Sequence, residues 1–292
     1  MLQSNKYLKF FVIFVYFVDE KLFLGLNADF AKSTLHQTSI MSKNALITGN
    51  SSGLGEGLTQ ALLSKNYHVY GCSRRGCRLT GNISDVLCDL TDYDATPKAL
   101  DQLLAGVEQL DLVILNAGVL GQLKPMQDNS IAELQTLMDI NVWSNKCVLD
   151  YLLASKITID QIVLMSSGAA VLGNRGWGGY AISKAALNML GRLYAYEFTG
   201  THIAAIAPGL IESSMMEYMC TEVDSDQFPA LKRIQQARQA GKVLSPLQAA
   251  ERIMQALPYF KDYESGSYID IRQILAPEEY AELMQARNVP GK

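Results

Sequence analysis

One stretch of the sequence combines three residues whose types and spacing suit proton transfer. Ser167 follows an apolar run, Tyr180 lies thirteen residues further on, and Lys184 lies four residues beyond the tyrosine. Residues four apart share one face of a helix, so the phenol and the ammonium are expected to be neighbours. A free tyrosine has a pKa of about 10, and a nearby ammonium favours the phenolate, which suits general acid–base catalysis. The alternative is an ordinary tyrosine–lysine pair on a helix surface.

A glycine-rich segment, TGNSSGLG at residues 48–55, offers a second kind of chemistry. Gly49 follows an apolar run, and Gly53 and Gly55 open a segment with helical periodicity. Glycines allow a tight turn and a close approach of the backbone to a pyrophosphate, and a helix N-terminus adds free N–H donors. The alternative is a simple turn, but the position between a strand and a helix favours a phosphate-binding loop.

The second apolar run ends without the acid that an NAD site usually carries. No Asp or Glu occurs between Glu56 and Asp85, and the run ends in Ser73, Arg74 and Arg75 instead. A guanidinium can hold the oxygens of a 2′-phosphate, so we predict that Ser73 and Arg74 select NADPH/NADP+ over NADH. The alternative is an exposed basic loop with no role in binding.

The elements that must position these residues follow from the hydrophobic pattern. Short apolar runs alternate with longer segments of helical periodicity (54–63, 97–107, 131–153 and 181–198); the runs occupy residues 45–48, 68–72, 86–87, 112–115, 162–165 and 203–207. This alternation predicts an α/β fold, a single doubly wound Rossmann-like domain over residues 41–292 with helices on both faces of a parallel sheet. The connection 210–242 is unusually long and is predicted to form a lid over a site.

Composition excludes several functional classes. The net charge of −4 and the pI near 5.5 argue against nucleic acid as a main partner. Five cysteines without a CxxC pair suit a reducing cytoplasm, and three widely separated histidines give no metal-ligand spacing, so we predict no metal site.

The first forty residues differ from the rest. The apolar run at residues 10–18 would span roughly 14 Å as a helix, against about 30 Å of hydrocarbon core, so no stable membrane span is predicted. A signal peptide, a peripheral arm or a misassigned start before Met41 remain open for this extension. We expect it to be dispensable.

Over residues 41–292 the sequence resembles the short-chain dehydrogenase/reductase family. Six motifs occur in the family's order: Thr48, Gly49, Gly53 and Gly55; Asn116, Ala117 and Gly118; Asn141; Ser167; Tyr180 and Lys184; Pro208 and Gly209. The resemblance implies a mostly parallel seven-stranded sheet. It also implies a homodimer or homotetramer, often formed through the long central helices.

The resemblance assigns catalytic roles. Tyr180 would protonate a carbonyl oxygen during hydride transfer, and Ser167 would hydrogen-bond that oxygen. Lys184 would lower the pKa of Tyr180 and bind the nicotinamide ribose, and Asn141 would hold a water in a relay to Lys184. These roles imply a small-molecule carbonyl substrate.

The resemblance further implies a set of cofactor-binding residues. They are Gly49, Ser51, Ser52, Gly53, Leu54 and Gly55; Ser73 and Arg74; Asp89 and Leu90; Asn116, Ala117 and Gly118; Tyr180 and Lys184; Pro208, Gly209, Ile211 and Ser213. For Asp89 and Asn116, a helix-cap or turn role is the alternative and is compatible with binding.

Three local features point to the sepiapterin reductase and benzil reductase branch. They are the second glycine in NAGVLG, Gly121, then Trp177 in GWGGY and Asp270 in SGSYID. Trp177 would stack on a flat substrate or pack beside the site, and Asp270 would anchor a substrate or bond local backbone. The branch implies NADPH-dependent reduction of a ketone or vicinal dicarbonyl. A 3-oxoacyl-thioester or general alcohol oxidoreductase, and a catalytically silent NADPH-binding regulator, are the alternatives.

Overall fold

The computed structural model describes residues 43–287, so the predicted extension at residues 1–40 lies outside the described part of the chain. The strands in chain order are β1 (Lys43–Thr48), β2 (Tyr67–Ser73), β3 (Ile83–Leu87), β4 (Gln109–Leu110), β5 (Leu112–Leu115), β6 (Thr158–Ile159), β7 (Gln161–Met165), β8 (His202–Ala207) and β9 (Ser267–Asp270). Seven of them form one sheet in the order β3-β2-β1-β5-β7-β8-β9, and β4 pairs with β6 in a small second sheet. Every pairing is parallel, which confirms the predicted fold class.

Helices connect the strands. They are α1 (Gly53–Ser64), α2 (Ala95–Leu103), α3 (Ile131–Met138), α4 (Ser144–Ala154), α5 (Ala169–Leu172), α6 (Gly178–Glu197), α7 (Ser214–Thr221), α8 (Pro229–Gln239), α9 (Pro246–Ala256), α10 (Arg272–Leu275) and α11 (Pro277–Arg287). The helix predicted at 131–153 is interrupted by a π-helical turn at Asp139–Trp143. Across residues 43–287, none of the helices is both long and apolar enough to cross a membrane.

The sheet is covered on both faces because side chains alternate along each strand. Neighbouring residues Leu46 and Ile47 on β1 are both fully buried but belong to opposite cores. The core on one face includes Leu149 of α4 and Leu187 of α6, and the core on the other face includes Leu58 of α1. The strands are therefore continuous apolar runs rather than alternating ones.

Local signals define the start of two helices. Ser130 precedes α3 and exchanges hydrogen bonds with Glu133, and Ser245 precedes α9 and does the same with Gln248. In each of these capping boxes the side chains satisfy N–H groups that the first helical turn leaves free.

The predicted lid, residues 210–242, contains α7 and α8. A third apolar cluster joins it to the loop after β5 and to the start of α6, and includes Leu120, Leu123, Trp177, Met216 and Phe228. The base of the lid is closed by a parallel bridge between residues 211 and 244. The predicted lid thus packs against the segments that lead to the predicted catalytic residues.

Candidate active site

The order of the strands reverses at β1 and β5, where an open α/β sheet forms a crevice at its carboxyl edge. Thr48 ties the two strand ends together: its Oγ1 accepts hydrogen bonds from the backbone N of Asn116 at 3.0 Å and of Ala117 at 3.2 Å. Asn116 Nδ2 in turn donates to Thr48 O at 3.2 Å and to Gly49 O at 3.3 Å. Asn116 therefore joins the central strands at the crevice.

The glycine-rich loop, residues 49–55, has a shape that only glycines permit. Gly49 has φ +72° and Gly53 has φ +57°, and a Cβ on Gly55 would lie 2.0 Å from Gly49 O. Ser52 makes no side-chain cap to α1, so the first N–H groups of this helix stay available. The loop is too tight for a side chain at Gly55, and it leads to a helix start whose N–H groups are uncapped. This arrangement fits the pyrophosphate of a dinucleotide.

The segment after the PG motif returns to the same loop. Pro208 precedes Gly209, which has φ +89°, and Ile211 forms the bridge at the base of the lid. Ser213 caps α7 by accepting a hydrogen bond from Met216 N at 3.3 Å. The Cβ of Ser213 lies 3.9 Å from the position that a Cβ on Gly53 would occupy. The predicted cofactor residues of the two segments are therefore adjacent.

The end of β2 supplies the basic group nearest the glycine-rich loop. Arg75 Nη2 donates to Ser52 Oγ at 2.7 Å and lies 3.5 Å from Ser51 Oγ. Arg74 and Arg75 are both exposed. Ser73 is buried and its Oγ accepts a hydrogen bond from Gly76 N at 3.2 Å. Arg75 was absent from the predicted binding residues, although it adjoins Arg74 in the sequence.

Asp89 and Leu90 follow β3. Asp89 Oδ1 accepts hydrogen bonds from Thr91 N at 3.1 Å and from Thr91 Oγ1 at 2.8 Å, so the carboxylate stabilises a turn. These bonds, and to a smaller extent the charge of Arg74, lower the pKa of Asp89. The Leu90 side chain is buried in the core, so only its backbone is left for a ligand.

Three of the predicted catalytic residues, Asn141, Tyr180 and Lys184, meet beside the loop after β5. Lys184 is buried, and its Nζ donates to Met165 O at 2.7 Å and lies 5.7 Å from the centre of the Tyr180 ring. A Cβ on Gly118 would lie 3.2 Å from Lys184 Nζ and 3.1 Å from Asn141 Oδ1. The lysine and the asparagine therefore converge on one backbone position of the NAG motif.

Asn141 lies in the π-helical turn between α3 and α4. Its Oδ1 accepts from Val119 N at 2.8 Å, and its Nδ2 donates to Val119 O and to Ser183 Oγ, both at 2.9 Å. The Asn141 side chain therefore holds the loop after β5 in place through its two hydrogen bonds to Val119. Its backbone oxygen accepts a hydrogen bond from Asn145 Nδ2 at 2.8 Å. The role of Asn141 in holding a water remains a prediction.

Burial shifts the pKa values of both titratable groups in the predicted catalytic set. It lowers the pKa of Lys184 to about 8. It raises the pKa of Tyr180, and a hydrogen bond with Ser167 offsets part of that rise. The net upward direction is opposite to the depression expected from the sequence, because desolvation of the phenolate outweighs the stabilising contact. A phenol that keeps its proton at neutral pH is suited to donate it.

The predicted substrate residues differ in their surroundings. Trp177 is 6% exposed and packs in the third apolar cluster. Asp270 is 1% exposed, and its Oδ1 accepts from Arg272 Nε at 2.8 Å and from Arg272 N at 3.1 Å. These contacts match the packing and local hydrogen-bonding alternatives, and direct substrate contact by either residue remains a prediction.

Tyr268, a neighbour of the predicted catalytic residue Ser167, was missed in the sequence analysis. Tyr268 Oη donates to Ser167 O at 3.5 Å, and Ser167 Oγ accepts from Ala169 N at 3.1 Å. Tyr268 lies two residues before Asp270 on β9, and alternation along a strand puts these two residues on one face. That alternation was the signal available in the sequence.

Comparison with known proteins finds one matching family and several similar proteins. A family model described as short chain dehydrogenase matches residues 43–223. A benzil reductase ((S)-benzoin forming) of Saccharomyces cerevisiae is 29% identical over 251 residues, covering 78% of this chain and 95% of the relative. A serine 3-dehydrogenase of Agrobacterium fabrum is 31% identical over 183 residues, covering 59% of this chain and 74% of the relative.

A solved structure has the same fold. The crystal structure of a short chain dehydrogenase/reductase from Saccharomyces cerevisiae superposes with a TM-score of 0.70 at 24% identity, covering 78% of this chain and 96% of that one.

Proposed function

Because the chain belongs to the short-chain dehydrogenase/reductase family of oxidoreductases, we propose that it uses NADPH to reduce a ketone or vicinal dicarbonyl, such as benzil, to an alcohol. The observation that carries the proposal is the convergence of Lys184 and Asn141 on Gly118 beside Tyr180. The benzil reductase relative, matched over most of both chains, supports this substrate class.

The proposed mechanism assigns one task to each side chain. The bound dinucleotide supplies the hydride. Ser167 donates a hydrogen bond to the substrate carbonyl oxygen, and Tyr180 passes its phenolic proton to that oxygen as negative charge develops there. Lys184, held by Met165 O, keeps a positive charge near the resulting phenolate. The buried position of both groups strengthens their electrostatic interaction.

The dinucleotide would be held along the crevice. The glycine-rich loop and the start of α1 would bind the pyrophosphate, and Ser213 would contact the nicotinamide end. Ser52, Arg74 and Arg75 would bind the 2′-phosphate, with the Arg75–Ser52 hydrogen bond already aligning two of its donors.

The preference for NADPH is tested by charge reversal at Arg74. An Arg74→Asp variant should lower the ratio of kcat/KM for NADPH to that for NADH, because a carboxylate repels the 2′-phosphate and accepts hydrogen bonds from ribose hydroxyls. The exposed Lys98, outside the crevice segments, provides a matched Lys98→Asp control. An unchanged ratio would show that Arg74 does not select the cofactor.

The reaction is tested by following NADPH consumption with benzil, sepiapterin, diacetyl and an acetoacetyl thioester. We expect turnover of a dicarbonyl, and its loss in a Tyr180→Phe variant that still binds NADPH. Tight NADPH binding without turnover of any of these carbonyls would favour the regulator instead. Turnover confined to the thioester would favour the 3-oxoacyl alternative.

An alcohol oxidoreductase is the second candidate. The serine 3-dehydrogenase relative supports it, although that match covers a smaller part of this chain. NADP+ reduction in the presence of L-serine, with no activity on diketones, would favour this candidate.

Assembly is proposed to occur through α6. Ile182, Met189, Leu193 and Tyr196 share one face of this helix and are 50%, 54%, 56% and 76% exposed, respectively. An apolar stripe of this kind suits a homodimer or homotetramer.

The location is proposed to be cytoplasmic. The five cysteines are all free thiols, which suits the reducing compartment that holds NADPH.

A further inference from the structure

Asp85 on β3 connects two loops beside the proposed 2′-phosphate site. One is the glycine-rich loop, and the other is the segment at residues 74–77, which we call the post-β2 loop. Asp85 Oδ1 accepts a hydrogen bond from Asn50 Nδ2 at 2.6 Å, and its Oδ2 accepts one from Cys77 N at 3.0 Å. A single carboxylate therefore holds both loops.

The contact depends on Gly71 of β2. Gly71 is the register partner of Asp85 in the sheet. A Cβ on Gly71 would lie 2.0 Å from Asn50 Nδ2 and 2.3 Å from Asp85 Oδ1. The missing side chain is what lets the carboxamide and the carboxylate meet over the strand.

Asp85 also determines how the Asn50 side chain is oriented. Asn50 is fully buried, and within residues 43–287 its Oδ1 has no hydrogen-bond partner. A carboxylate only accepts hydrogen bonds, so the Nδ2 group must face Asp85. A buried acceptor without a partner is unfavourable, and the side chain nevertheless takes this orientation. The contact with Asp85 thus dominates the placement of this residue.

We propose that Asn50 and Asp85 are positioning residues for a 2′-phosphorylated dinucleotide. They hold the post-β2 loop against the glycine-rich loop, in the arrangement that puts Arg75 Nη2 2.7 Å from Ser52 Oγ. They act through Arg74, Arg75 and Ser52 rather than by touching the phosphate. The inference rests on the proposed NADPH dependence.

Charge and positioning predict opposite effects for a change at Asp85. Loss of a negative charge near an anion site strengthens anion binding. Loss of the bridge between the loops weakens it. The Asp85→Asn variant is isosteric and keeps one oxygen where the carboxylate has two, so it cannot retain both contacts in their present form. A weakened affinity therefore cannot arise from the change in charge.

The test is calorimetric binding of adenosine 2′,5′-bisphosphate and of 5′-AMP, which needs no substrate or turnover. In the full-length protein, Asp85→Asn should weaken the bisphosphate about tenfold, the loss expected for one charge-assisted hydrogen bond, and leave 5′-AMP unchanged. Gly71→Ala, which displaces the pair without removing a polar group, should do the same. Asp262→Asn is the matched control, since it removes an exposed carboxylate that lies outside the crevice segments, and it should leave both affinities unchanged.

The outcomes separate the two proposals. A wild-type protein that binds both nucleotides equally would refute the NADPH assignment, and with it this inference. A selective wild type whose selectivity survives both variants, or rises in Asp85→Asn, would refute only the positioning role. An equal loss of affinity for both nucleotides would also refute it, because Asn50 and Asp85 would then support nucleotide binding in general and not binding of the 2′-phosphate.

Discussion

The buried ammonium of Lys184 should make the stability of the protein depend on pH in an unusual direction. Its side chain is 3% exposed, and burial lowers its pKa from 10.5 to about 8. The folded state therefore loses this proton before the unfolded state does. The resulting penalty is fully present below pH 8 and disappears as the pH rises towards 10.5, so folding stability should increase over this interval.

The size of the effect follows from the two pKa values. With 1.36 kcal/mol per pKa unit, the penalty is about 3 kcal/mol at pH 7 and about 1 kcal/mol at pH 9.5. Replacing the lysine with methionine, which has a similar shape, removes the titration. The unfolding free energy of the wild type should therefore rise by about 2 kcal/mol relative to Lys184→Met between these two pH values.

Urea unfolding followed by intrinsic fluorescence at pH 7 and 9.5 measures this difference. Comparing two proteins at each pH cancels the titration of all other groups. The exposed Lys98→Met variant controls for the loss of a lysine at the surface. Parallel pH profiles for wild type and Lys184→Met would refute the reasoning, as would a change of the opposite sign.

Three further predictions concern other contacts. Thr48→Val removes the acceptor of two partly buried N–H groups, so urea unfolding should show a loss of about 2 kcal/mol; a loss well below 1 kcal/mol would contradict this. Gly55→Ala brings a Cβ against Gly49 O, and calorimetry should find NADPH bound at least about tenfold more weakly; equal affinity would argue against the cradle. Leu193→Lys, on the exposed face of α6, should reduce the oligomer mass in light scattering, and an unchanged mass would place the interface elsewhere.

Hydrophobic patterns within individual segments of the sequence predicted most of the fold. The central strands are fully buried, so their apolar runs mark them almost to the residue, as at Leu112–Leu115. The edge strand Ile83–Leu87 was expected only at 86–87, because the polar Ser84 and Asp85 interrupt the apolar pattern after Ile83. The helix at Ala95–Leu103 ends earlier than the periodicity predicted. Pairing across the sheet, rather than local sequence, determines such boundaries.

The parts of the site that escaped prediction depend on contacts between distant segments. The helical pattern runs without a break through Asp139–Trp143, and the π-helical turn is explained only by the bonds of Asn141 to Val119. Arg75 contacts Ser52 across two segments, and Tyr268 contacts the loop after β7. Alternation along β9 places Tyr268 on the same face as Asp270, but it does not show which loop that face meets. The motif residues were found because the family's chemistry fixes their types.

The strand order also bears on how the chain folds as it leaves the ribosome. After β1, β2 and β3 have extended the sheet in one direction, β5, β7, β8 and β9 are added on the other side in the order of their synthesis. β5 pairs with β1, and β7, β8 and β9 each pair with the strand added to this sheet just before, so the growing sheet always presents the edge that the next strand needs. Tyr268, beside the catalytic serine, arrives with the last strand. A nascent chain should therefore fold progressively, and the proposed active site should be complete only after β9 has left the ribosome.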